Sequence, residues 1–173
     1  ICKKKNVKII EDACHAFGAE ITYQKKHYKI GSHKYSDITT FSFHPVKSIT
    51  TGEGGAILTN NKKYYEKMKK YISHGMFTKP LVEKKYTWNY YDMDFAGYNF
   101  RLSDINCALG ISQIKKLGKF LKKRRTIYKW YKEFLSHHKY VKLIYFNKEI
   151  NPSFHLILLN INFNEFNINK DIL

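Results

Sequence analysis

An α/β fold with a mixed, mostly parallel sheet is predicted by three features of the chain. Val7 to Ile10 is a short apolar run closed by Glu11 and Asp12, the pattern of a buried strand in a parallel sheet that ends in an acidic pair. Ile38 to His44 alternates β-branched, aromatic and small residues, and Gly55 to Thr59 is apolar again, so two further strands of that sheet flank a glycine-rich turn. Lys62 to His74 places Tyr65, Met68 and Ile72 at helical spacing with lysines on the other face, and Gly75 follows as a stop.

In open α/β sheets ligands gather at the carboxyl ends of strands, which draws attention first to Asp12. An ionised carboxylate there either holds a cationic partner such as a pyridinium nitrogen or caps the next turn through the amides of Cys14 or His15. His15, three residues on, reaches the same ligand if a helical turn begins there; the ordinary alternative is a hydrogen-bonded structural histidine. Gly18 to Lys34 reads as a polar connection holding an Ile-Thr-Tyr strand fragment and a Gly31-Ser32 turn.

Pro45 removes a backbone donor and stops the strand that carries Ser42, so Lys47 sits just past a strand end. Ser48 to Gly55 then supplies hydroxyls and glycines where a backbone turns tightly or approaches a ligand. A lysine among many is ordinarily a solvated surface group; one on such a loop, with Ser42 before it and an acidic strand end upstream, is placed to form a Schiff base with a carbonyl cofactor.

Tyr86 to Phe100, with Trp88, Tyr90, Tyr91 and Tyr98, shows no period and is expected to be a loop covered by a partner subunit. Ser103 and Asp104 start a helix with Ile105, Ala108, Leu109, Ser112 and Ile114 on or beside one face; Gly118 is expected to interrupt it before a second, very basic run from Phe120 to Leu135. Phe154 to Ile161 is apolar enough for a strand after Pro152. The shift in composition near Gly118 divides the chain into residues 1–117 and 118–173.

The chain has 43% hydrophobic residues, which suffices for a core, and 31 Lys and Arg against 14 Asp and Glu, a net charge of +17. That charge raises nucleic-acid binding as a possibility, but the lysines are spread over the whole chain together with abundant Asn, Ile and Tyr, the mark of a compositional bias and not of a phosphate-binding patch. Cys2, Cys14 and Cys107 form no CxxC, which favours a reduced, cytoplasmic setting. His15, His27, His33 and His44 lack zinc-site spacing, so no metal is expected. No run of about 18 apolar residues predicts a membrane span. The start at Ile1 without Met, and an end that reads as the opening of a helix over Asn164 to Leu173, set the expectation of a fragment.

Three motifs occur in order: E-D-A-C-H-A-F-G-A, then F-S-F-H-P-V-K-S-I-T-T-G-E-G-G, then A-G-Y-N-F-R-L-S-D-I-N-C-A-L-G. Together they resemble the nucleotide-sugar aminotransferases of the DegT/StrS type over about Val7 to Leu159. The resemblance implies the fold type I (aspartate-aminotransferase) fold of pyridoxal 5′-phosphate enzymes, with the end of the large cofactor-binding domain over 1–117 and a linking helix and the beginning of the small domain over 118–173. It implies that Lys47 forms the Schiff base with the cofactor and carries the proton, that Asp12 pairs with the pyridinium nitrogen, and that His15 lies near the ring oxygen. Ser42 then bonds the cofactor phosphate and Asn99 reaches the phosphate of the neighbouring subunit, so a homodimer shares its sites. Implied substrates are a nucleotide-linked keto-deoxysugar, most simply a UDP-sugar, and an amino donor, usually L-glutamate, in surface-sugar biosynthesis. The family's phosphate-binding small-residue turn and the aromatic side chain stacked on the ring lie upstream of Ile1, so this stretch alone is not expected to transaminate. Two other readings are weaker: a P-loop places its glycines before the lysine, the reverse of the order here, and a regulatory relative of the same fold can lose the lysine that this chain keeps.

Overall fold

In the computed structural model, which describes residues 1–32, 35–78 and 91–166, β4 (Ile38–Ser42) is the middle strand of the sheet that organises the site. Its β-branched and aromatic residues suit a strand covered on one face, and its burial alternates, with Thr39 and Phe41 inside. β1 (Ile10–Asp12) pairs with it in parallel, Asp12 opposite Thr40, and β5 (Gly55–Leu58) pairs antiparallel, Gly55 opposite Ser42.

Side chains fix this register. The fully buried Thr39 hydroxyl donates to Glu11 Oε2 at 2.9 Å, and Ser36 Oγ donates to the same oxygen at 3.3 Å. At the strand starts the Ile9 amide donates to Asp37 Oδ2 at 2.9 Å, Lys8 Nζ lies 3.4 Å from Asp37 Oδ1, and the Thr59 hydroxyl donates to the Asp37 carbonyl at 2.8 Å. Asp37 thus ties three strands together.

The core lies on one side of this sheet, where Ala13, Phe41, Phe43 and Ile49 are buried. Phe17, from the turns after β1, meets Phe41 and Phe43 edge to face at 5.0 and 5.5 Å. Leu117 and Phe120 close the cluster from α2 (Asp104–Phe134), a helix capped by Ser103 Oγ, which accepts from the Asn106 amide. Gly110 brings α2 against the loop after β4: a Cβ there would lie 2.9 Å from the Thr51 methyl.

Beyond the sheet, β2 (Glu20–Tyr23) and β3 (Lys26–Lys29) form a hairpin whose turn residues Gln24 and Lys25 both have positive φ, 49° and 61°. α1 (Lys62–Tyr71) is capped by Asn61, and β6 (Met76–Thr78) pairs with β7 (Tyr91–Met93). β8 (Val141–Leu143) pairs with β10 (Leu159–Ile161), β9 (Ile150–Asn151) joins β2, and the four-residue helix α3 (Phe163–Phe166) follows.

Several expectations are corrected. The first strand runs Ile10–Asp12, not from Val7, and Ile10 is 68% exposed because β1 has a single neighbour among the described residues. β5 is antiparallel: a parallel return usually crosses the sheet through a helix, and residues 43–54 instead form turns held at the strand end. Gly118 interrupts nothing, since α2 runs through it and the helix loses only a side chain there. Of the apolar run from Phe154 only Leu159–Ile161 is strand. Within the aromatic segment Tyr91–Met93 is strand, while Tyr86, Trp88 and Tyr90 lie outside the described residues, as do His33 and most of the expected terminal helix.

The Ile9 amide, and then Lys8, hold the Asp37 carboxyl below its ordinary value. A depressed folded-state value stabilises above the unfolded value of about 4 and is lost as pH falls through the folded one. Asp37→Ala should therefore flatten the acid limb of a plot of denaturation midpoint against pH and lower its plateau. The two helical glycines should respond oppositely to Ala. Gly118, with nothing within 4 Å of its Cβ position, should gain about 0.5–1 kcal/mol from the better helix former. Gly110→Ala, forced against the buried Thr51, should cost about 1–3 kcal/mol, measured by chemical denaturation.

Candidate active site

Because β1 and β4 run in parallel, their carboxyl ends open on the same edge of the sheet, and that edge carries Asp12, Ser42 and the loop bearing Lys47. The loop is held by its own hydroxyls. Thr50 Oγ1 donates to the Phe43 carbonyl at 3.0 Å and accepts from the Gly52 amide at 2.9 Å. Thr51 Oγ1 donates to the Glu53 carbonyl at 2.7 Å, while the Thr51 amide returns to Phe43 O. Gly54 has a φ of 143° and approaches Thr51 so closely that a Cβ would lie 2.6 Å from its hydroxyl, which explains a glycine at this position.

Lys47 itself is half-buried, between the exposed Val46 and the buried pair Ser48 and Ile49. Ile49 is a core residue, so the backbone that carries the amine is anchored two residues away. The Lys47 amide donates to His44 O at 3.0 Å, and its carbonyl accepts from Arg124 Nη2 of α2 at 3.4 Å. Asn106 Nδ2, also on α2, donates to the Thr51 carbonyl.

Asp12 is exposed at the end of β1, and its Oδ1 accepts from the Cys14 amide at 3.1 Å. The Cys14 thiol and amide hold the carboxyl below its usual value, and the nearness of His15 and Lys47 adds to this. The same contact acts in reverse on Cys14, whose thiol is pushed up by the Asp12 carboxylate and by burial. Asp12 is therefore both the cap and the fixed anion of this edge.

His15 follows in a series of turns, not in a helix. Its carbonyl accepts from Ser153 Oγ at 2.9 Å and its ring lies against that of His155 at 4.4 Å. Ser42 is half-buried, with its Oγ accepting from the His44 amide at 3.4 Å. Four of the five expected residues thus share one sheet edge. Asn99 does not join them: it is exposed, in a backbone bridge opposite Ser73 after α1. The cap on the Cys14 amide was one of the two expected roles of Asp12. Sequence reasoning missed Arg124, Ser153 and His155: Arg124 was one cation in a basic run, and the other two carry no spacing signal.

Comparison with known proteins agrees with this geometry. A family model described as DegT/DnrJ/EryC1/StrS aminotransferase matches residues 1–173. The UDP-4-amino-4,6-dideoxy-N-acetyl-beta-L-altrosamine transaminase of Campylobacter jejuni subsp. jejuni serotype O:23/36 is 49% identical over 139 residues, 80% of this chain and 34% of that protein. PseC of Helicobacter pylori, an aminotransferase of pseudaminic acid biosynthesis, superposes with a TM-score of 0.83 at 35% identity, over 99% of this chain and 43% of its own. A Streptococcus pneumoniae protein assigned as a sugar aminotransferase, solved in its PLP form, superposes with a TM-score of 0.74 at 25% identity, over 93% and 39%. The chain thus spans about a third of the length of the curated relative. The expected fold, that of the fold type I pyridoxal-phosphate enzymes, is the one observed.

The Asp12–Cys14 contact is testable without any ligand. At neutral pH Cys14 should alkylate more slowly than the exposed Cys107, and Asp12→Asn should speed Cys14 alone, because removing the anion favours the thiolate. Mass spectrometry of the alkylated peptides reads both rates.

Proposed function

Because the chain belongs to the DegT/DnrJ/EryC1/StrS aminotransferase family, we propose that it builds part of the active site of a pyridoxal-phosphate-dependent sugar aminotransferase, with Lys47 as its catalytic residue. The observation that carries this is the shared sheet edge: an anchored, half-buried lysine and a carboxylate held ionised stand where two parallel strands end. The donor set fits the cofactor, since a persistent anion complements a protonated ring nitrogen and a primary amine complements an aldehyde. The likeness to the Streptococcus pneumoniae PLP form supports the same cofactor.

When bound, the cofactor supplies an electron sink for the carbanion formed at the amino donor. The chain's own groups do the rest. Asp12 keeps the proton on the ring nitrogen, because its carboxylate stays charged across the neutral range. Lys47 Nζ would hold the cofactor through its aldehyde carbon, with the aldehyde oxygen leaving as water, and as a free amine would take the proton from the donor carbon and give it back. Ser42 Oγ bonds the phosphate, His15 lies at the ring oxygen, and Asn99 reaches the phosphate of a second copy, which makes a homodimer the working unit. The acceptor is the 4-keto carbon of a nucleotide-linked deoxysugar, a UDP-sugar on the likeness to the Campylobacter jejuni transaminase, and L-glutamate is the donor. That chemistry belongs to cytoplasmic surface-sugar biosynthesis. The division at Gly118 stands as part of this reading, with α2 as the helix that links the large domain to the small one.

Lys47 is tested by adding pyridoxal phosphate, reducing with borohydride and mapping the peptides. The reduced pyridoxyl label should concentrate on Lys47 at substoichiometric cofactor and vanish in Lys47→Ala with the thermal transition unchanged. A label shared evenly among surface lysines would sink the assignment.

A further inference from the structure

One imidazole at this edge has no part in the scheme above. His155 arrives from beyond α2, far along the chain from Lys47, yet its ring lies against that of His15 at 4.4 Å with the planes tilted by 59°. Its Nδ1 is buried and has no hydrogen-bond partner among the described residues. A histidine buried for structural reasons is ordinarily placed by its own hydrogen bonds, and leaving one unmade costs about 1–3 kcal/mol. This ring is placed instead by the segment that carries it.

That segment is tied to the site at three points. Ser153, 2% exposed, donates to the His15 carbonyl at 2.9 Å. Arg124 Nη1 donates to the Phe154 and His155 carbonyls at 3.1 and 3.2 Å, while Nη2 of the same guanidinium donates to the Lys47 carbonyl. Phe154 stacks on Tyr128 of α2 at 4.0 Å and takes a φ of 50°, a left-handed conformation that a bulky residue rarely adopts. Strain of that kind persists only where the surroundings over-determine it, and here it aims the next side chain at His15.

We propose that His155 is a positioning residue of the cofactor site: its ring fixes the plane of the His15 imidazole, and Arg124 keeps that pair in register with the lysine loop. Burial first, then His15, Lys47 and Arg124 nearby, hold the His155 ring below its ordinary value, which favours the uncharged ring in the stacked arrangement. Both rings also line a largely apolar pocket of about 400 Å³, with Ile21, Ile30, Phe146 and Leu158. The role differs from that of Asp12 or Lys47 in acting through another side chain, and it rests on the reading that places His15 at the cofactor ring.

The test is a double-mutant cycle on pyridoxal phosphate affinity, read by absorbance titration, with His155→Gln, His155→Phe and His15→Ala. His155→Gln keeps the bulk without an aromatic face and should weaken binding about fivefold to tenfold, the worth of one aromatic contact. His155→Phe keeps the face and should stay within about twofold of the wild type. In the His15→Ala background His155→Gln should have no further effect, because its partner is gone. Equal losses for Gln and Phe, or effects that add across the cycle, overturn the proposal. Proton NMR of the cofactor-free protein decides independently: the His15 ring signals should shift with His155→Gln and hold with His155→Phe. Should the wild type take up no pyridoxal phosphate, the cofactor reading fails while the ring signals still decide whether His155 sets the plane of His15.

Discussion

Everything at the candidate site depends on the parallel pairing of β1 with β4. It brings the ends of both strands to one edge, and with them a carboxylate from one and a lysine loop from the other. Side chains alternate along a strand, so a slip of one residue would turn Asp12 to the opposite face and bring Glu11 in its place. The chain prevents that slip with polar bonds at both ends of the short ladder: Asp37 joins Ile9, Lys8 and Thr59 at the start, and Thr39 with Ser36 grips Glu11 further along. The gripped acid serves the register, and its neighbour keeps its carboxylate exposed at the strand end.

The lysine loop shows how a mobile side chain is carried on a fixed backbone. The apolar anchor is Ile49, and the polar anchors are Thr50 and Thr51, whose hydroxyls replace the ladder bonds that the backbone loses when it leaves β4. α2 closes the loop from outside through Asn106, Gly110 and Arg124. None of these contacts touches the Lys47 amine, which leaves it able to bind and release a partner while its Cα stays put.

Local patterns made much of this readable. The alternation in β4, the glycines after Lys47 and the Ser103 cap each follow from neighbours in sequence, and each is found; α1 forms as well, but Tyr65 of its expected apolar face is 53% exposed. The strand end at Asp12 and the turning loop around Lys47 were legible because strand ends and glycine-rich loops leave a local signature. What stayed hidden was long-range. The antiparallel course of β5 depends on how the chain returns, and the β2–β3 turn uses Gln24 and Lys25 where Asn-Gly would have announced it. Gly118 looked like a breaker because propensity counts residues singly, while a helix of 31 residues packed through Leu117, Phe120 and Leu121 tolerates one glycine on its open side. Arg124, Ser153 and His155 meet the site only after the chain has folded back, and nothing in their own stretch records it.

The unbroken course of α2 makes it a ruler. Gly110 meets the lysine loop at Thr51 and Arg124 meets it again at the Lys47 carbonyl, and between them lie about four helical turns, so both face the same way. Residue identity in that interval matters little on the outer side, where the lysines sit in solvent. Residue number matters a great deal: inserting or deleting one position would swing Arg124 about 100° around the axis and undo its grip on three carbonyls. The interval should therefore be conserved in length while its outward face drifts in sequence, and a single-codon deletion there would uncouple the C-terminal segment from the lysine loop without altering any residue that a substrate meets.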